Sequence, residues 1–311
     1  MRVPVLAIIL PCYNEEAALP AAFGKIISLL EQYIREGLIS PESRAYFVND
    51  GSSDGTWQMI RDKAAECNLV CGISLSRNFG HQNALLAGLY SVEADAYITI
   101  DADLQDNPDC IREMLTRFSN GAEIVCGVRA RRDTDTFFKK HTALLYYRIM
   151  NWCGVKTIPN HADFRLMGRK SVNALRQFRE KNLFLRGLVP YLGFKTECVY
   201  YDRTERQAGE TKYPLRKMLA LAWNGITGFT ELPLRIIMFL GLALILFGLI
   251  LFMIVPASYS NFLLRISAVI SIFSGINTFS LGIAAEYIGK ILTETRQRPS
   301  FIIDEIVSDV K

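Results

Sequence analysis

A chain of 311 residues, half of them hydrophobic (50%), is long enough for one domain of catalytic size plus a smaller unit. Its formal net charge is only +4, and no nucleic-acid partner is expected. Three histidines and seven scattered cysteines without a C-x-x-C pair argue against a zinc site and leave reduced, mostly buried thiols as the expectation.

At the N-terminus, Arg2 and "VPVLAIIL" faintly resemble a signal peptide, but the apolar part is short and runs straight into "PCYNEE". It reads as a strand. Apolar runs then alternate with amphipathic stretches. Buried strands are predicted at 5–10, 45–48, 70–75, 96–100 and 123–127, with helices at roughly 16–36, 55–67, 81–92 and 108–119. This alternation implies an α/β fold with a mostly parallel sheet, helices on both faces, and the sheet complete before residue 231. Each predicted strand ends in a polar cluster: "PCYNEE", "NDGSSDGT", "SRNFGHQ", "DADLQD" and "GVRARR". Ligands of open α/β sheets bind beyond the carboxyl ends of the strands, so the five clusters mark one site.

The clusters also indicate the ligand. No G-x-G-x-x-G follows the first strand and no G-x-x-x-x-G-K-[ST] occurs, which disfavours a dinucleotide dehydrogenase or a P-loop phosphotransferase. Acidic and amide groups dominate instead: Glu15, Asp50, Asp54, Asp101, Asp103 and Gln105. On an extended backbone residues i and i+2 face the same way, so Asp101 and Asp103 can present carboxylates to one ion. Magnesium or manganese takes one or two carboxylates and completes its shell with water and substrate phosphates. A D-x-D at a strand end is thus a cradle for a metal–diphosphate, with a solvated turn as the plainer alternative. Asp106 and Asp109, beside Pro108, are expected to cap the following helix.

Toward the C-terminus, no residue between Arg235 and Arg265 is charged, nor any between Arg265 and Glu286. Both runs reach the roughly 20 residues needed to cross a bilayer core. Pro256 and "SYSN" divide them, giving a transmembrane hairpin of about 236–256 and 265–287; two buried helices of a soluble domain are the alternative. Arg216, Lys217 and Arg235 precede the first span, and Lys290, Arg296 and Arg298 follow the second. That bias places both termini in the cytoplasm. The expected layout is a catalytic domain at 1–214, an interfacial amphipathic helix at 215–233, the hairpin within 234–289 and a tail at 290–311.

"PCYNEE", "NDGSSDGT", "SRNFGHQNALLAGL" and "DADLQD", in this order and spacing, resemble family 2 glycosyltransferases of the Rossmann-like GT-A fold. "HADFRLMGRKSV", "NLFLRGL" and "RQAGETKYPLRKM" are similar to the branch that moves a sugar from a nucleotide to a polyprenyl phosphate, which includes dolichyl-phosphate mannose synthase and the bactoprenol glucosyltransferases. The resemblance implies that Pro11, Tyr13, Glu15, Asp50 and Asp54 hold the nucleotide. It places Asp101, Asp103 and Gln105 at a divalent metal, with Asp101 nearer the ribose and diphosphate. Asp163 occupies the family's catalytic acidic position, and Arg129, Arg165, Arg206 and Lys212 are candidates for the acceptor phosphate and the leaving diphosphate.

Two departures stand out: "DNPD" replaces a commoner "DPPE", and His81 stands where a lysine is frequent. Asp163 paired only with Arg165 or Arg169, and "RARR" as a solvated basic face, remain open alternatives. The implied reaction is an inverting transfer, with glucose from UDP-glucose as the first choice of donor. Undecaprenyl phosphate would be the acceptor at the bacterial inner membrane, supplying lipid-linked sugar for surface glycans, with a homo-oligomer possible. GDP-mannose, UDP-GlcNAc, UDP-galactose or a modified arabinose are alternative donors, and a membrane-bound sugar-nucleotide sensor or scaffold is the non-enzymatic rival. A processive polysaccharide synthase is disfavoured, because no tryptophan follows an arginine as Q-x-x-R-W requires.

Overall fold

The computed structural model describes residues 3–129, 161–178, 185–202 and 262–308. All five predicted strands form: β1 (Leu6–Cys12), β2 (Arg44–Asn49), β3 (Val70–Leu75), β4 (Ala96–Thr99) and β5 (Ile124–Arg129). The predicted helices appear as α1 (Leu19–Arg35), α2 (Thr56–Glu66), α3 (His81–Ser91) and α4 (Ile111–Ser119), the last entered through a short turn of 3₁₀-helix at Pro108–Cys110. Every residue of β1 is buried, as expected for a strand covered by helices on both faces. Helix α1 has a proline in its first turn, where no N–H is missed, and buries Leu19, Ala22, Phe23, Ile26, Leu29, Leu30 and Tyr33 at helical spacing. Phe23 meets Phe47 of β2 edge-on, with ring centroids 4.7 Å apart.

Among the described residues the sheet has eight strands in the order β7-β5-β6-β4-β1-β2-β3-β8. β4, β1, β2 and β3 run parallel to one another, joined by α1, α2 and α3. Three strands were not expected. β6 (His161–Gly168) inserts antiparallel between β4 and β5, and β7 (Thr196–Tyr201) pairs parallel with β5. β8 (Ile303–Val307) pairs antiparallel with β3. The sheet is therefore not complete before residue 231; its outer strand comes from the tail. β8 fits because Gly72 of β3 has no side chain: a Cβ there would collide with Val307, Ile60 and Trp57. Glu305 fastens it further, accepting from Trp57 Nε1 at 3.3 Å and pairing with Arg61 at 3.2 Å.

Two short helices, α5 (Arg169–Leu175) and α6 (Leu185–Tyr191), follow β6, and the long α7 spans Phe262–Thr295. The chain divides into two compact units. The first comprises Met1–Arg148, Lys156–Lys212 and Pro299–Lys311 and contains the sheet. The second comprises Ile149–Val155 and Tyr213–Arg298 and contains α7. The second predicted span falls on α7; the first span and the interfacial helix lie outside the described residues. Among the described residues no helix is long and apolar enough to cross a membrane. The thiols are unpaired, with Cys12, Cys71 and Cys126 buried, while Cys153 lies outside the described residues.

Candidate active site

The antiparallel register of β4 on β6 builds the centre of the site. It pairs Ala96 with Gly168 and proceeds to Thr99 with Arg165. Continued two residues further, the same register sets Asp101 against Asp163, so two carboxylates distant in sequence face each other at the carboxyl end of β4. His81, the first residue of α3, stands between them: its Nε2 lies 3.5 Å from Asp101 Oδ1 and 3.7 Å from Asp163 Oδ2.

The pKa values of the two acids are shifted in opposite directions. Asp163 Oδ1 accepts from Arg165 Nη2 at 2.6 Å and from Arg186 Nε at 3.3 Å, and Oδ2 accepts from Arg186 Nη2 at 2.9 Å. Burial alone would raise its pKa, but the Arg186 and Arg165 guanidiniums outweigh burial and hold the carboxyl below the ordinary range. Burial pushes Asp101 up to about 6, against the pull of His81 and with further repulsion from Asp163, Asp106 and Asp103. Its Oδ1 is buried and has no hydrogen-bond partner among the described residues. A buried carboxylate oxygen without a hydrogen bond is costly, and a cation relieves that cost.

Asp103 and Gln105 complete the D-x-D loop, but the backbone there is turned rather than extended. The Leu104 N–H donates to the Asp101 carbonyl at 3.1 Å, and Leu104 has φ 49°. A left-handed non-glycine residue is uncommon and concentrates at functional loops. The Gln105 N–H donates to Asp103 Oδ1 at 3.3 Å, and the Gln105 side chain is buried. Among the described residues no three His, Cys, Asp or Glu groups gather as a metal site. Two carboxylates and an amide suit magnesium or manganese, whose remaining positions come from phosphate and water.

Asp106 and Asp109 do not cap α4. Asp106 is buried and binds Arg129 through both oxygens, from Nε at 3.0 Å and Nη2 at 3.2 Å. The capping contact comes from Asn107, whose Oδ1 accepts from the Asp109 N–H at 3.0 Å, and Asp109 pairs with Lys25 at 2.8 Å. Arg129 thus braces the D-x-D loop. Arg165 lies beneath Asp163, with only 2% of its side chain exposed. The more exposed cation here is Arg186 at 37%, a residue the sequence reading did not single out although "NLFLRGL" contains it. Arg206 and Lys212 lie outside the described residues.

Beyond the carboxyl ends of β1, β2 and β3, the first three polar clusters are knitted together. Tyr13 is exposed just past β1, and Asn14 follows with φ 53°. The Asn14 N–H donates to Ser52 Oγ at 3.0 Å, and the Ser53 N–H donates to Asn14 Oδ1 at 2.9 Å. The Glu15 N–H donates to Thr56 Oγ1 at 2.9 Å. Asp54 accepts from the Glu16 and Thr56 N–H groups, at 3.3 and 3.1 Å. Buried Asp50 accepts from Phe79 N–H at 2.7 Å and Gly80 N–H at 2.9 Å; burial raises its pKa against the pull of those amides. Gly51 has φ 65°, and a Cβ there would overlap the Arg77–Asn78 backbone. Asp50 and Asp54 therefore shape the loops, while Pro11 is buried within β1 and Tyr13 and Glu15 follow just past its end.

Residues 7–176, from β1 through α5, match the model of the family described as "Glycosyl transferase family 2". The chain belongs to that family. Relatives extend the match over nearly its whole length. An uncharacterized glycosyltransferase, YkoT of Bacillus subtilis (strain 168), is 45% identical, covering 97% of this chain and 91% of the relative. The prophage bactoprenol glucosyl transferase homolog of Escherichia coli (strain K12) is 36% identical, over 97% of this chain and 99% of the relative. The bactoprenol glucosyl transferase of Shigella phage SfX is 37% identical, over 96% of this chain and 98% of the relative. The protein is a family 2 glycosyltransferase with the α/β architecture of the GT-A fold.

Proposed function

We propose that this glycosyltransferase moves glucose from UDP-glucose to a polyprenyl phosphate, with inversion and with a divalent metal. The observation that carries the proposal is the meeting of Asp101 with a guanidinium-clamped Asp163 across the β4–β6 pair. It sets a carboxylate suited to a metal–diphosphate beside cations suited to a second anion. The names of the bactoprenol glucosyl transferase relatives support glucose and the lipid acceptor.

Asp101, Asp103 and Gln105 would hold magnesium or manganese, which when bound neutralises charge on the departing diphosphate. Tyr13 and Glu15 line the rim that takes the nucleotide. Asp163 is a weak base, because two arginines keep it ionised. Little basicity is needed: a phosphate monoester has a second pKa of about 6 and reaches the site largely ionised. Asp163 instead fixes Arg186 and faces His81, and Arg186 holds the acceptor phosphate in line with the anomeric carbon.

Membrane attachment is part of the same reading. Ile270, Phe279, Leu281, Ile288 and Ile291 of α7 are exposed, as suits a helix in lipid. β8 returns to the sheet of the catalytic unit, so any crossings between residues 202 and 303 must be even in number, and a hairpin meets that condition. The flanking basic residues favour the cytoplasmic face of the inner membrane.

Purified full-length protein should be incubated with a panel of radiolabelled nucleotide sugars, undecaprenyl phosphate and Mg²⁺ or Mn²⁺. Transfer from UDP-glucose well above the other donors supports the proposal. Preference for another donor replaces glucose, and absence of lipid-linked product with every donor overturns the lipid-acceptor reading.

A further inference from the structure

The C-terminal strand makes contacts whose consequence reaches the site. β3 ends at Leu75, and the next residue, Ser76, donates its N–H to the Ile302 carbonyl at 3.0 Å, just before β8. Phe301 meets Tyr90 of α3 with ring centroids 6.5 Å apart. Residue 302 therefore holds the first backbone amide of the loop 76–80, and residue 301 packs on the far end of the helix into which the loop runs. The loop's other end is held by Asp50, which takes the Phe79 and Gly80 amides. Its middle lies against Gly51, where there is no room for a side chain. Beyond Gly80 comes His81, in contact with Asp101 and Asp163.

We propose that β8 and the two residues before it are a positioning element for the Ser76–Gly80 loop, and through that loop for the nucleotide side of the site. The nucleotide part of this statement rests on the function proposed above; the loop part rests on the contacts alone. A loop fastened at one end only would sample more conformations, and a ligand must then bear the ordering cost at binding. The strand's inward face, Ile303, Glu305 and Val307, is half-buried against β3 and α2, while Asp304 and Ile306 point outward. The face that docks can therefore be altered without touching the loop or the site. The chain leaves α7 at Thr295 and enters β8 at Ile303, so the same short connection links the helix assigned to the membrane with the strand that braces the loop.

The test uses the full-length protein in detergent micelles, with Ile303→Asp/Val307→Asp to undock β8 and Asp304→Ala as the outward control. Hydrogen exchange is measured first, without nucleotide. Amides of 76–80 should exchange on the order of tenfold faster in the double variant, while β4 and β6 stay protected and the control matches wild type. Free exchange in β8 with unchanged exchange at 76–80 overturns the proposal; so does faster exchange throughout the sheet, which marks a merely structural role. If the double variant does not fold, Glu305→Ala, which removes only the Trp57 and Arg61 contacts, should accelerate the same amides by a smaller factor, and no acceleration counts against the brace. In a second arm, calorimetry with UDP-glucose and Mn²⁺ should show roughly three- to tenfold weaker binding in the double variant, restored by a synthetic peptide of residues 299–308. KM for UDP-glucose should rise with kcat within about twofold. If wild type itself binds no UDP-glucose, the donor assignment fails, and the exchange arm still decides the brace.

Discussion

Replacing Asp163 by Asn tests how the centre of the site is held together. The side chain is 12% exposed and Arg165 beneath it 2% exposed, so the change strands a buried guanidinium without its counter-charge. Beyond Asp163, the side-chain contact of Arg165 among the described residues is a long one to the Leu185 carbonyl at 3.4 Å, and its Nε has no partner there. Removing one partner of a buried ion pair costs about 3–5 kcal/mol. For a domain of this size each kcal/mol lowers Tm by roughly 2–4 °C, so a fall of about 6–20 °C is expected. Adding Arg165→Met removes the stranded charge and should recover most of that loss, since an apolar replacement for a buried pair is often neutral. The pH dependence has a defined sign. Asp163 is depressed below its unfolded value, so its stabilisation is fully present above about pH 4 and fades only as the pH falls below that, toward the folded pKa. Differential scanning fluorimetry of wild type, Asp163→Asn and the double variant from pH 8 down to about pH 2 makes the measurement: the gap should be constant above about pH 4 and narrow below it. Asp163→Asn within about 1 kcal/mol of wild type, with transfer abolished, would refute the reasoning: the carboxylate would then serve the reaction without anchoring the arginines.

Asp101→Asn or Asp103→Asn should lower transfer by on the order of 10²–10³ and abolish the gain in nucleotide-sugar affinity on adding Mn²⁺; calorimetry that still shows a metal-dependent gain contradicts the assignment. Asp101 carries a proton below about pH 6, and a metal ligand must be ionised. Metal-dependent donor affinity should therefore weaken up to about tenfold per pH unit below that point, and a flat profile down to pH 5 argues against Asp101 as a ligand. A reporter active only outside the cytoplasm, fused after Lys311, should be silent, and strong activity overturns the orientation. Truncation near Glu231 removes β8 and leaves the β3 edge and the Ser76 amide unpaired, so the shortened chain should be less stable and more prone to aggregate than the full chain; equal stability in urea unfolding would show that β8 contributes nothing.

The parallel half of the sheet was legible from local patterns alone, because strands buried on both faces must be apolar runs and helices between them must show a stripe. β1 through β5 and α1 through α4 follow that rule within a few residues. The sequence also marked the D-x-D loop and its neighbours, since polar clusters at strand ends have one place to go in such a fold. What those clusters meet is set by contacts between distant segments. β6 carries Asp163 and Arg165 inside a strand, so charge hides the apolar pattern, and its antiparallel register is what brings Asp163 to Asp101. Asp106 looked like a helix cap from its local spacing, yet Arg129, 23 residues later on another strand, claims it. Arg186 joins Asp163 across another 23 residues, and β8 finds β3 from the far end of the chain. Local periodicity reports which residues are buried and in what kind of element. Which strands pair, and which charges neutralise each other, depends on backbone and side-chain contacts between distant segments, and these leave no period in the sequence.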